Sequence, residues 1–96
     1  MTYRILTPAL IELEETIIYY ESKQNGLGSR LIKEFEYSIK QFCNFPEAWT
    51  EIKKEYRRCL LRRFPYGIIY RLYNNEIIVV AFMNLYKKPN YWEERI

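Results

Sequence analysis

The side chains able to do chemistry in this 96-residue chain are lysines, arginines, tyrosines and glutamates, and there is no histidine. They are unevenly spread. Between Lys53 and Arg95 stand ten of the fifteen Lys and Arg residues against only Glu55, Glu76, Glu93 and Glu94. That half therefore carries about +6 and the remainder about −3. Within it, Arg57, Arg58, Arg62, Arg71, Lys87 and Lys88 are interleaved with aromatic residues, Tyr91 and Trp92 among them, and Asn84 closes the last apolar run. Cations hold phosphates and rings stack on bases, so such a surface suits RNA or an acidic partner. Cleaving RNA without a metal asks for more. It needs a group to deprotonate the ribose 2′-hydroxyl, cations to hold the developing phosphorane charge, and an acid for the leaving oxygen. Without histidine that work falls to Tyr and Lys with well-placed neighbours. A solvated basic rim is the simpler reading, and composition alone favours it.

Other chemistries find no support in the residues. Cysteine clusters and metal-ligand spacings are missing, and Gly26, Gly28 and Gly67 are wrongly placed for a phosphate loop. No Gly-x-Ser-x-Gly elbow occurs. We therefore expect no metal, no cofactor and no assigned catalytic residue. Cys43 and Cys59 fall in apolar-patterned segments and read as reduced core residues, which points to a cytoplasmic chain. No apolar run reaches the length of a membrane span, and no export signal opens the sequence. With 49% apolar and 18% aromatic residues, the chain reads as one folded domain over residues 1–96.

The elements that must position these groups follow from periodicity. Tyr3 to Leu6 is a short strand. Thr7 offers a hydroxyl cap and Pro8 suits a first helical turn. Leu10, Leu13, Ile17 and Tyr20, flanked by Ile11 and Ile18, predict a helix ending near Lys23, with Glu12, Glu14, Glu15 and Glu21 on its wet side. Asn25 to Gly28 is a turn cluster. A second helix from about Ser29 carries the stripe Leu31, Phe35, Ile39 and Phe42, widened by Ile32 and Cys43, and stops at Phe45-Pro46. Strands are predicted over Tyr56–Phe64, Tyr66–Tyr73 and Glu76–Asn84, the last being the most apolar and therefore interior. Asn74-Asn75 forms a tight hairpin. The polar and aromatic tail runs from Tyr86 to Ile96. This β-α-α-β-β-β order predicts an α+β fold, a helical hairpin on one face of a mainly antiparallel sheet. The opposite sheet face and its C-terminal rim would then be open for function.

Several segments, taken together, resemble the RelE/ParE superfamily of type II toxins, often described as plasmid stabilisation proteins, and in particular its ParE-like branch. Tyr19 to Gln24 followed by Gly26-Leu27-Gly28 is similar to the family's junction between helices, and Phe45-Pro46 to the stop after its second helix. Arg57-Arg58, then Arg63-Phe64-Pro65-Tyr66-Gly67-Ile68-Ile69-Tyr70, is close to the block characteristic of ParE-like members. Lys87-Lys88-Pro89 and Trp92 resemble the family's ending. The resemblance covers nearly the whole chain. It implies a toxin neutralised by a cognate acidic antitoxin, a possible homodimer, and a target that is DNA gyrase in ParE-like members or mRNA at the ribosome in RelE-like ones. A family member that has lost toxicity is a third alternative.

The resemblance also has departures. RelE-type nucleases carry an Arg near the position of Gly67, and Asn84 stands where relatives often have a titratable His. Arg57, Arg58, Arg62, Arg71, Asn84, Lys87, Lys88, Tyr91 and Trp92 are the candidate contacts to target or antitoxin. Of these, Arg71 is equally readable as a cross-strand partner of Glu76, and Trp92 as the anchor of the tail.

Overall fold

The computed structural model describes residues 1–95. Its elements are β1 (Thr2–Ile5), α1 (Thr7–Lys23), α2 (Leu27–Asn44), β2 (Thr50–Lys53), β3 (Tyr56–Leu60), β4 (Tyr66–Tyr73) and β5 (Glu76–Asn84), with a short 3-10 turn at Glu93–Arg95. The five strands form one sheet in the order β1-β5-β4-β3-β2. β1 runs parallel to β5, and every other pairing is antiparallel. The expected α+β architecture is therefore present, with one more strand than the sequence suggested.

That strand, β2, has four exposed residues and no apolar alternation, so periodicity has nothing to detect. It pairs with β3 across a bend in which Glu55 takes a positive φ of 72°. β3 stops at Leu60 rather than Phe64. Residues 61–65 turn instead, sending Leu61 and Phe64 into the core. Asn74 and Asn75 adopt φ of 51° and 59°, the left-handed pair that a two-residue hairpin requires.

The helices cover one face of the sheet. Leu31, Phe35, Ile39 and Phe42 of α2 are all buried as the stripe predicts, whereas Ile32 stays partly exposed. α1 is rotated from the expected register. Ala9, Leu13 and Thr16 face the sheet, while Leu10, Ile11 and Ile18 are exposed. Thr7 begins the helix, and its hydroxyl does not cap it. At the helical junction, Gly26 takes a φ of +87°. The Glu21 carboxylate accepts the amides of Gly26 and Gly28 at 3.0 and 2.9 Å, supplying from α1 the acceptors that the start of α2 lacks. Beneath the helices, the buried Tyr70 ring stacks on Phe42 at 4.2 Å. Its hydroxyl donates to the Pro46 carbonyl at 2.7 Å.

The other face is not open, contrary to the sequence expectation. Ile69, Ile78, Val80, Ala81 and Met83 form a second buried cluster around Trp92, which is 2% exposed. The tail folds back across the sheet. Tyr56 packs on Trp92 at 5.1 Å, and the Trp92 indole N–H donates to the Pro89 carbonyl at 2.8 Å. A bulge in β5 makes this possible. Val79 pairs with Tyr70 and Ala81 with Ile69, so Val80 is an extra residue. It places Val80 and Ala81 together on the tail side and returns Phe82 to the helix side.

Candidate functional site

β1 ends at the Ile5–Val79 pairing, so beyond Val79 no strand among the described residues flanks that side of β5. Side chains take over. The Arg95 guanidinium donates to the Val80 carbonyl at 3.0 Å, and the Glu12 carboxylate accepts the Phe82 amide at 3.1 Å. Glu12 and Arg95 pair through two bonds of 2.9 and 3.0 Å, and the Tyr91 hydroxyl donates to the remaining Glu12 oxygen lone pair at 2.6 Å. Helix, strand and tail are thus tied at one carboxylate. Burial acts to raise the Glu12 pKa, but Arg95, Tyr91 and the Phe82 amide together outweigh it and hold the group below its ordinary value. Tyr91 is driven upward by burial and by donating to an anion.

Beside this knot lies a cleft of about 210 Å³. Glu12, Glu15, Thr16 and Tyr19 of α1 form one wall, and Tyr66, Phe82, Asn84, Lys87 and Tyr91 the other. Tyr66 is fixed by stacking on Phe82 at 4.8 Å. The Lys87 ammonium sits 5.6 Å from the Tyr91 ring. Asn84 accepts the Tyr86 amide at 2.9 Å, which shapes the turn leaving β5. The phenol of Tyr91 holds its proton firmly, and Glu12 is held as an anion by its partners. Glu12 and Tyr91 are therefore well placed for fixing the tail and poorly placed for passing a proton.

The nine sequence-predicted site residues are not gathered in one place. Asn84, Lys87 and Tyr91 meet at the cleft, and Lys88 is exposed next to it. Arg58 lies on the tail side, its aliphatic stem over Gly67. A Cβ at Gly67 would come within 3.2 Å of Arg58 Cγ. Arg57 points to the other face, donating to the carbonyls of Glu47 and Trp49 at 3.2 and 2.7 Å. It fastens the segment between α2 and β2. Arg71 lies toward the β4–β5 hairpin, paired with Glu55 at 2.8 Å and packed on the Tyr73 ring. Its partner is not Glu76, which lies across from Arg4. Arg62 stands over Tyr37 of α2. Trp92 is buried and presents nothing to a partner.

Sequence reasoning missed Glu12 and Arg95. Helical spacing puts Glu12 on the wet side of α1, whereas its side chain is largely buried. Its neighbours Ala9, Leu13 and Thr16, at helical spacing around it, were the signal that it borders the buried stripe.

A model of the ParE toxin of the parDE type II toxin–antitoxin system matches residues 3–84. The chain belongs to the ParE toxin family. Among solved structures, this ParE-family chain is similar to a chromosomal ParDE toxin–antitoxin system from P. aeruginosa. The TM-score is 0.63 at 14% identity, covering 88% of this chain and 96% of that one. At that identity the likeness speaks for the fold. No curated protein matches the chain. The family match begins inside β1 and ends at Asn84, so the tail that seals the second face lies beyond it. No helix among the described residues is long and apolar enough to cross a membrane.

Proposed function

We propose that the chain acts in the cytoplasm, as a single domain, as the toxin of a ParD-type antitoxin pair, and that it blocks DNA gyrase by surface contact. The observation that carries a binding role over a catalytic one is the state of the cleft. Two of its ionisable groups, Glu12 and Tyr91, are spent on holding the tail, with Tyr91 donating to Glu12 and Glu12 paired to Arg95. Around the same end of the sheet, Leu60, Leu85, Tyr86, Lys87 and Lys88 are exposed. An apolar patch ringed by cations is what a protein contact uses. On the helical side, the exposed Leu10 and Ile32 edge a groove floored by Leu13, Phe35 and Ile39, which fits the apolar side of an antitoxin helix.

Induction in a bacterial host tests the reading. Loss of plasmid supercoiling with a DNA-damage response is expected, and Lys87→Ala with Lys88→Ala should blunt it. Intact supercoiling with rapid mRNA cleavage at codon boundaries would replace gyrase inhibition with the ribosome-dependent nuclease. Unimpaired growth with folded protein would mark a member without toxicity.

A further inference from the structure

On the side of α2 away from the tail, a groove of about 640 Å³ runs between that helix and the turn after β3. Arg30 and Lys33 stand on the helix wall, and Arg62 and Arg63 on the turn. Among the described residues only one carboxylate, Glu34, lines it, and that group is already engaged. Its Oε1 accepts the main-chain amides of both Arg62 and Arg63. Glu34 thus fixes the turn and directs two arginines along the groove, without forming an ion pair with any of the four cations among the described residues. Elsewhere among the described residues Arg4, Lys53, Arg71 and Arg95 lie within ion-pair distance of a glutamate, whereas Lys23, Lys40, Lys54, Arg57, Arg58, Lys87 and Lys88 do not. What sets Arg30, Lys33, Arg62 and Arg63 apart is that all four line one groove.

We propose that this groove binds the phosphodiester backbone of a nucleic acid. Unpaired like charges facing one another across a groove repel until an anion with repeating charge enters. Three of the four are arginines, whose planar forks match phosphate oxygens. From Arg30 to Gln41 the helix wall extends about 16 Å at about 1.5 Å per residue. Over that length one strand of a duplex presents about five phosphates. Tyr37, 52% exposed and already carrying the Arg62 guanidinium on its ring at 5.9 Å, gives a platform on which a base can stack. The groove is separate from the cleft at Lys87, and its use depends on neither gyrase nor ribosome as target.

Fluorescence anisotropy with labelled 20-mers tests it, using duplex DNA, single-stranded DNA and single-stranded RNA of one sequence. Four phosphate contacts predict a log–log salt slope of about −3.6 for the duplex and about −2.8 for single strands. Duplex affinity should then fall about 150-fold between 50 and 200 mM salt. Arg62→Gln with Arg63→Gln should halve the slope. Arg4→Gln with Lys40→Gln removes the same charge elsewhere and should leave it nearly unchanged. The three probes rank which nucleic acid is preferred. Equal losses in both double variants would reduce the effect to net charge and overturn the site. So would displacement of the duplex by polyglutamate at equal charge concentration, which would assign the groove to an acidic protein segment. Circular dichroism of each variant separates lost binding from lost folding.

Discussion

Replacing Glu12 with alanine removes the single acceptor on which the tail, β5 and α1 converge. Arg95 would be left without its counter-charge, and the Phe82 amide and Tyr91 hydroxyl without an acceptor. Ion pairs at full exposure contribute about 0.2–1 kcal/mol, whereas breaking a buried one costs about 3–5. The two side chains here are 16% and 18% exposed, which places the pair nearer the buried case, and about 3 kcal/mol is expected. In a domain of this size each kcal/mol lowers Tm by roughly 4–8 °C, so a fall of roughly 12–24 °C should follow. Glu12→Gln keeps the shape and one acceptor oxygen and should cost about 1–2 kcal/mol.

Urea unfolding of Glu12→Gln, Arg95→Gln and the double variant isolates the pair. A coupling of roughly 1–3 kcal/mol is expected for side chains in direct contact. Acid provides a second check. The folded pKa of Glu12 lies below its ordinary 4.5. Its contribution is therefore complete above the unfolded carboxyl's pKa and is lost as pH falls through the lower folded value. The stability gap between wild type and Glu12→Gln should be full at neutral pH and should shrink below about pH 4. A coupling under about 0.3 kcal/mol, or a gap that persists unchanged to low pH, would refute the account of this carboxylate.

Trp92→Ala should cost about 3–5 kcal/mol and expose Ile69, Ile78 and Val80; faster limited proteolysis after Lys87, with dye binding to the uncovered face, would register it. Gly67→Ala meets the flexible stem of Arg58 and, at 3.4 Å, the exposed Leu60 side chain. It should change stability by less than about 1 kcal/mol while displacing Arg58, so a toxicity loss at near-normal Tm is expected if that guanidinium touches the target. Gly28→Ala differs, because its Cβ would stand 3.1 Å from the Ile17 carbonyl of α1. Helix separation and a loss of about 1–3 kcal/mol should appear in urea melts. Burial raises the thiol pKa of both cysteines; alkylation of the buried Cys59 should wait on unfolding, while the half-buried Cys43 should react sooner.

What the sequence revealed and concealed divides along physical lines. α2 is legible because its apolar residues repeat at helical spacing, and β5 because it is a continuous apolar run buried on both faces. Asn74-Asn75 was legible because few residues accept positive φ. α1 was recovered as a helix but not in its orientation, because it carries apolar residues on more than one side and leaves Leu10, Ile11 and Ile18 outside. β2 is held by main-chain bonds and by the Arg57 anchor, and nothing in its composition signals this. The cover over the far face is invisible in the sequence, because a tail rich in polar residues gives no sign that its indole packs with five apolar neighbours. The candidate site suffered most. Charge density along the chain located basic residues, but pairing in space determined which are spent. Arg57, Arg71 and Arg95 are engaged within the molecule, whereas Arg62 and Arg63 face outward into a groove. Such pairings join residues as far apart as Glu12 and Arg95, beyond the reach of any local pattern.

The way β5 is finished past Val79 bears on how these molecules avoid sticking to each other. A bare run of main-chain donors and acceptors there would invite a foreign strand. Instead a carboxylate and a guanidinium occupy the places a neighbouring chain would take, and their mutual attraction keeps both at their posts. Sheet extension is thereby left to the outer flanks, where β1 is only four residues long and β2 carries Glu51 and Lys53. Short and charged borders of this kind discourage fibrous association, so the protein guards its sheet at three separate margins by two different means.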